Sequence, residues 1–186
     1  IGKAILHLAT HGYVREDRLA GLLRHERDLP RLDPVLERQV SVGYDPMLLS
    51  GVVLAGANGG DGAGGDDGLL TSAEVSWLDL EGVRLAVLSA CQTGRGTPAA
   101  GEGTLGLVRG FRLAGAERVV ASLWRVDDDA TEFLMGKFYE GYLDARLEPA
   151  AALRAAALAV REHADAGGNR PYAAPRFWAA FVAYGK

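Results

Sequence analysis

The stretch that most constrains this chain is Leu85-Ala86-Val87-Leu88-Ser89-Ala90-Cys91-Gln92-Thr93-Gly94, an apolar run that stops abruptly in small residues and holds the single cysteine among 186 residues. A short apolar run bounded by a turn signal reads as a strand buried on both faces, the pattern of a parallel sheet covered by helices. Such a strand delivers Cys91 to its carboxyl end, where the backbone turns. Ala4-Ile5-Leu6-His7-Leu8-Ala9-Thr10 follows the same pattern and runs into His11-Gly12. Two apolar strands thus end in an imidazole and a thiol.

The rest of the chain alternates strand and helix signals. Tyr13 to Val42 is charged and weakly periodic and reads as an insertion, with a short helix expected around Asp17 to His25. Asp45-Pro46 marks a turn, and residues 48–57 read as a short strand or hairpin arm. Residues 58–68 hold six glycines and three aspartates. Those acids invite a calcium reading, but their spacing lacks the alternate ligands and closing glutamate of an EF-hand loop, so the segment reads as exposed loop. Thr71 or Ser72 can cap a short helix through Trp77, with Glu74 in its first turn. Residues 92–103 read as a loop, 104–115 as a helix closing on glycine, and 118–124 as a third buried strand. A helix is expected over 130–144, with Leu134, Phe138 and Tyr142 on one face. Another follows Pro149, carrying Leu153, Ala157, Val160 and Ala164, and Trp178 to Tyr184 reads as a last strand. The alternation implies an α/β fold with a mostly parallel central sheet and helices on both faces.

Length and a hydrophobic content of 48% suit one domain with a sizeable core. The chain opens on Ile1-Gly2-Lys3, already inside what reads as a central strand, so residues 1–186 are expected to be a piece of a longer polypeptide whose missing part lies upstream. A formal charge of −4 with scattered Lys and Arg argues against direct nucleic-acid binding. No apolar stretch reaches the roughly 18 residues that span a bilayer, so no membrane association is expected. One cysteine forms no internal disulfide, which fits a reducing, cytoplasmic setting.

In an open parallel sheet, catalytic groups collect outside the carboxyl ends of the strands. Neighbouring strands lie about 4.8 Å apart, or about 10 Å with one strand between, and either separation lets His11 and Cys91 converge on one cleft. A thiol near its reference pKa is mostly protonated at neutral pH, and an imidazole that takes its proton makes it a nucleophile for acyl transfer. The unobstructed amide of Gly12, with that of Cys91, can bind the oxyanion formed when a carbonyl is attacked. A small buried hydrophobe at a strand end serves equally as a reading of Cys91. His7, with strand neighbours on both sides, and His25 and His163, in charged helical sequence, read as bland.

Seven blocks in order carry a family resemblance: Leu6-His7-Leu8-Ala9-Thr10-His11-Gly12, Leu54-Ala55-Gly56-Ala57-Asn58, Leu69-Leu70-Thr71 with Glu74-Val75, Val87 to Gly94, Gly101-Glu102-Gly103, Ser122 to Asp128, and Trp178 to Val182. The chain resembles the CHAT domain, a caspase-like peptidase domain often attached to tetratricopeptide repeats. The resemblance implies a caspase fold, of which residues 1–186 would be the carboxyl-terminal major part with the first strands upstream, and a cysteine endopeptidase with His11 as general base and later acid, Cys91 as nucleophile, and no metal or organic cofactor. Its implied partners are a protein or peptide substrate and a regulatory repeat region upstream. Caspases place Arg, Gln or Gly and then Gly after Gln-Ala-Cys, with the histidine roughly 50 residues upstream. Here Ser89 precedes Ala90, Thr93 delays Gly94 and the His–Cys separation is 80 residues, which favours the CHAT and separase branch.

The segment Trp124-Arg125-Val126-Asp127-Asp128-Asp129 is similar to a Trp-x-Val-x-Asp stretch that supplies separase with an acid for a substrate arginine. By that resemblance Asp128, then Asp127, would contact a basic substrate residue bidentately. Helix capping competes for the same acids: Asp129 with Glu132 has the spacing of a capping box. Glu102 reads as holding the loop after Cys91. Two other functions compete with peptidase: an inactive protein-interaction module of the same fold, and a redox-sensing thiol, which lacks a resolving cysteine.

Overall fold

The computed structural model describes residues 4–14, 46–48, 50–57, 67–89, 91–92 and 98–185, of which 14, 46, 91–92 and 98–102 are described by their backbone. At its centre is β5 (Val83–Leu88), whose residues 85 to 88 are all at most 2% exposed, as a strand covered on both faces requires. It pairs in parallel with β1 (Ala4–Leu8) on one side and with β7 (Val119–Ser122) on the other. Antiparallel β8 (Phe181–Tyr184) completes the order β1-β5-β7-β8. The expected mostly parallel α/β architecture is what folds.

Alternation along β5 divides the core between two layers. Leu85 and Val87 join Leu134 and Phe138 of α3 (Asp128–Tyr139) and Leu153, Ala156 and Val160 of α4 (Pro149–Glu162). Ala86 and Leu88 face the other way, onto Leu107, Val108 and Phe111 of α2 (Pro98–Leu113). Helices therefore cover both faces of the sheet.

A second sheet was not expected. It has the order β4-β3-β2-β6, built from β2 (His11–Val14), β3 (Ser50–Val53), β4 (Leu69–Thr71) and β6 (Cys91–Gln92). The apolar strands expected to run unbroken to His11 and Cys91 each end early, at Leu8 and Leu88, and resume in this sheet. The hydroxyl of Thr10, in the first break, donates to the carbonyl of Val53 and draws the chain toward the β3–β4 hairpin. Residues 50–53 are thus the hairpin arm, antiparallel to both β2 and β4.

Several boundaries moved. Thr71 caps α1 (Ser72–Val75) through a full capping box: Glu74 N–H donates to its hydroxyl at 3.1 Å, and Thr71 N–H donates to the Glu74 carboxylate at 2.8 Å. Helix α2 begins at Pro98, where a missing N–H costs nothing, rather than at Thr104, so Glu102 lies in a helix and not in a loop. It closes as expected on Gly115 (φ 110°), with Ala116 N–H donating to Phe111 and Gly115 N–H to Arg112. In α4 the buried alanines are 152 and 156, Ala157 is half-buried and Ala164 lies past the helix end. Trp178 ends a short α5 (Pro175–Trp178), and the last strand starts only at Phe181. The expected helix over 17–25 and the glycine-rich residues 58–66 lie outside the described residues. Among the described residues no helix is long and apolar enough to cross a membrane.

The second sheet and α1 approach α2 closely at two glycines. A Cβ on Gly110 would meet the backbone carbonyl oxygen of Ser72 at 2.5 Å, and one on Gly106 would meet the Ser50 hydroxyl at 2.9 Å. That hydroxyl belongs to a buried pair in which Ser72 donates to the Ser50 carbonyl at 3.1 Å and the two hydroxyls meet at 2.8 Å. Alanine is the better helix former by about 0.5–1 kcal/mol, but an overpacked backbone contact costs about 1–3 kcal/mol. Gly110→Ala should therefore lower stability. By contrast Gly136→Ala, on the exposed side of α3 with nothing near its Cβ, should raise it. Urea midpoints of the two variants in the same protein check both signs.

Candidate active site

The site grows from one register. Along β1 and β5 the Cα partners run from Ile5 with Leu85 to Leu8 with Leu88, each pair 80 residues apart. After the break, β2 pairs in parallel with β6 as His11 with Cys91 and Gly12 with Gln92, again 80 apart. Both chains leave the first sheet with the same step and enter the second still side by side. Ser89 N–H donates to the Leu8 carbonyl at 3.1 Å across the step. The backbones of His11 and Cys91 are thus adjacent, just beyond the carboxyl ends of β1 and β5, at the strand spacing of about 4.8 Å. His11 is exposed, and Gly12 is buried between Val52 of β3 and Gln92 of β6. β6 is the edge of its sheet among the described residues, so one side of the Cys91 backbone has no described strand beside it.

The acidic segment leaves the same rim. Ala121 is the partner of Leu88 and β7 ends at Ser122, from which the chain reaches α3 past buried Val126. The indole N–H of Trp124 donates to the Arg176 carbonyl at 3.1 Å and fixes this passage. The cap of α3 is Asp127, not Asp129: its carboxylate accepts from Ala130 N–H at 3.1 Å. Asp127 is the last extended residue, with φ −73° and ψ 138°, whereas Asp129 is already inside the first turn and cannot cap it. Asp128 and Asp129 are exposed in that turn, where the helix dipole favours acids. The two acids expected to bind substrate are therefore unlike: Asp127 holds the helix, and Asp128 projects from its first turn.

The CHAT domain family matches residues 2–186. This chain belongs to the CHAT family. Its α/β fold with a mostly parallel sheet fits that caspase-like class. Tetratricopeptide repeat protein 28 of Homo sapiens is 34% identical over 117 residues, covering 63% of this chain and 4% of that protein. The protein of the same name from Mus musculus matches to the same extent, 34% over 117 residues. The chain spans a small fraction of the length of these relatives, whose names carry tetratricopeptide repeats.

One residue of this CHAT domain that reads as bland in the sequence is built into a network. His7 lies between Leu6 and Leu8, whose side chains pack on the α2 layer. Its own ring meets Tyr139 of α3, with centroids 5.7 Å apart. The Nε2 atom is 3.1 Å from the Ser89 hydroxyl, and the Tyr139 hydroxyl is 3.0 Å from Nδ1. A neutral imidazole donates from one nitrogen and accepts at the other, so Ser89 and Tyr139 take opposite roles. His7 is an exposed residue of β1, and the signal available beforehand was a polar residue inside an otherwise apolar strand.

Burial holds the His7 ring below its ordinary pKa of 6.5. Above that pH the ring is neutral whether the chain is folded or not, and the network contributes in full. Below it the unfolded chain takes up the proton first, so stability falls as pH drops from 6.5 toward the lower folded value. Relative to a His7→Gln variant, the wild type should lose urea resistance between pH 7.5 and pH 5.5, and an identical pH trend in both proteins would refute this assignment.

Proposed function

We propose that this CHAT domain is a cysteine endopeptidase that cleaves protein substrates through a dyad of His11 and Cys91. The observation that carries the reading is the Cα pairing of these two residues across β2 and β6. In the proposed mechanism, His11 takes the thiol proton and the Cys91 thiolate attacks the carbonyl carbon of the scissile peptide bond. The oxyanion is met by the backbone amide of Cys91, whose strand has no described neighbour on one side; Gly12, also expected to supply an amide, is buried between β3 and β6 and presents no free edge. His11 then protonates the leaving amine, the C–N bond breaks, and a water activated by the same imidazole hydrolyses the thioester. These steps require neither metal nor organic cofactor. By family resemblance Asp128 contacts a basic residue of the substrate, with Asp127 as second candidate, and an upstream tetratricopeptide-repeat region regulates the activity. An inactive interaction module of the same fold is the competing reading.

In the full-length protein, Cys91→Ala should abolish cleavage of a peptide library, and His11→Ala should lower it by about 10²–10⁴-fold. Cleavage unchanged by either substitution would leave only the interaction module. Asp128→Ala should weaken cleavage after arginine with little change in melting temperature. Asp127→Ala should instead cost about 0.5–2 kcal/mol of stability as a lost helix cap, read by thermal denaturation beside the cleavage assay.

A further inference from the structure

We infer that His7 is a positioning residue for Cys91, acting through Ser89; the inference rests on the dyad reading above. The two segments that carry His11 and Cys91 step between sheets, and among the described residues a side chain pins each step. On the histidine chain the pin is Thr10, whose hydroxyl donates to the Val53 carbonyl. On the cysteine chain the pin is Ser89, two residues before Cys91, whose hydroxyl lies 3.1 Å from His7 Nε2. The imidazole does not float: Tyr139 bonds its other nitrogen at 3.0 Å, with its ring tilted 41° to the imidazole. Tyr139 in turn packs edge-on to Phe138, a fully buried side chain of the main core, with centroids 5.2 Å apart. A chain of contacts thus runs from the rigid α3 layer through Tyr139 and His7 to the exit of β5.

Without the ring, the cysteine chain keeps the backbone bond from Ser89 N–H to Leu8 and loses the side-chain restraint. β6 is only two residues long and cannot hold its own direction. A misplacement of about 1 Å between nucleophile and base can cost about a hundredfold in rate. His7 itself touches neither substrate nor the reacting atoms, and its effect should appear as a loss of proton exchange between His11 and Cys91.

The test is the rate of Cys91 alkylation by iodoacetamide in the full-length protein, followed on the Cys91 peptide by mass spectrometry from pH 5 to 9. His11→Ala should move the profile up toward the pKa of a free thiol, about 8.5. His7→Ala and Ser89→Ala should shift it the same way and slow alkylation at pH 7 by about tenfold or more. His7→Gln, whose amide can donate to Ser89 and accept from Tyr139, should restore most of the rate. A purely structural role would lower the melting temperature of His7→Ala and leave the alkylation profile of its folded fraction in place. Should His11→Ala shift the profile while His7→Ala and Ser89→Ala do not, positioning by His7 is wrong and the dyad stands. A profile unmoved by His11→Ala removes the dyad itself. If His7→Ala fails to fold, Ser89→Ala and His7→Gln decide: a wild-type profile in Ser89→Ala, or no rescue by a folded His7→Gln, overturns the hydrogen-bonded route.

Discussion

The parallel pairing of β1 with β5 is the constraint on which the rest depends. Two paired chains that turn out of a sheet leave backbone donors and acceptors without partners unless they turn together. Here they do, and the offset of 80 residues holds from Ile5 with Leu85 to Gly12 with Gln92. The segments that connect the paired strands are then free in length and composition, provided that their ends return to the same register. Loop-closure entropy grows slowly with length, so the charged insertion and the glycine-rich stretch are tolerated at small cost. The proximity of His11 and Cys91 is a property of the sheet rather than of those segments.

The two residues nevertheless sit on the weaker of the two sheets. Its strands are two to four residues long, and so short a sheet has little stability of its own. Support comes from its neighbours: α2 approaches at Gly106 and Gly110, the buried Ser50–Ser72 pair ties β3 to α1, and the Thr71–Glu74 box closes the hairpin into that helix. The main sheet supplies rigidity by burying both faces of β5. The second borrows that rigidity through close backbone contacts, which is why a single methyl group on Gly110 matters more than its size suggests.

How much of this was legible in the sequence follows from which signals are local. The runs 85–88 and 119–122 and the helical stripe of Leu134 and Phe138 announce buried faces, and the mostly parallel α/β class follows from their order. The break in the strands at Leu8 and Leu88 leaves no such mark. Ala9 continues the small, apolar character of the strand before it, and the cause of the turn, the Val53 carbonyl, is 43 residues away from Thr10. The start of α2 is masked by Gly101 and Gly103, which lower helix propensity although Pro98 suits a first turn. The cap of α3 went to Asp127 because the backbone decides where extended conformation ends, and three consecutive aspartates do not. His11 and Cys91 are legible as strand ends reinforced by family motifs, whereas His7 depends on Ser89 and Tyr139, 82 and 132 residues distant.

A peptidase and a binding scaffold of this family make different demands on the same atoms. A scaffold needs the two buried layers, the glycine approach of α2 and the capped helices, and none of these involves His11. It needs no imidazole in register with a thiol, and no side-chain pin at the exit of the cysteine strand, because binding surfaces tolerate shifts that proton transfer does not. Thr10 and Ser89 restrain two steps that together set the relative position of residues 11 and 91. Restraint at that one junction, beyond what the core requires, is the physical feature that favours chemistry over docking.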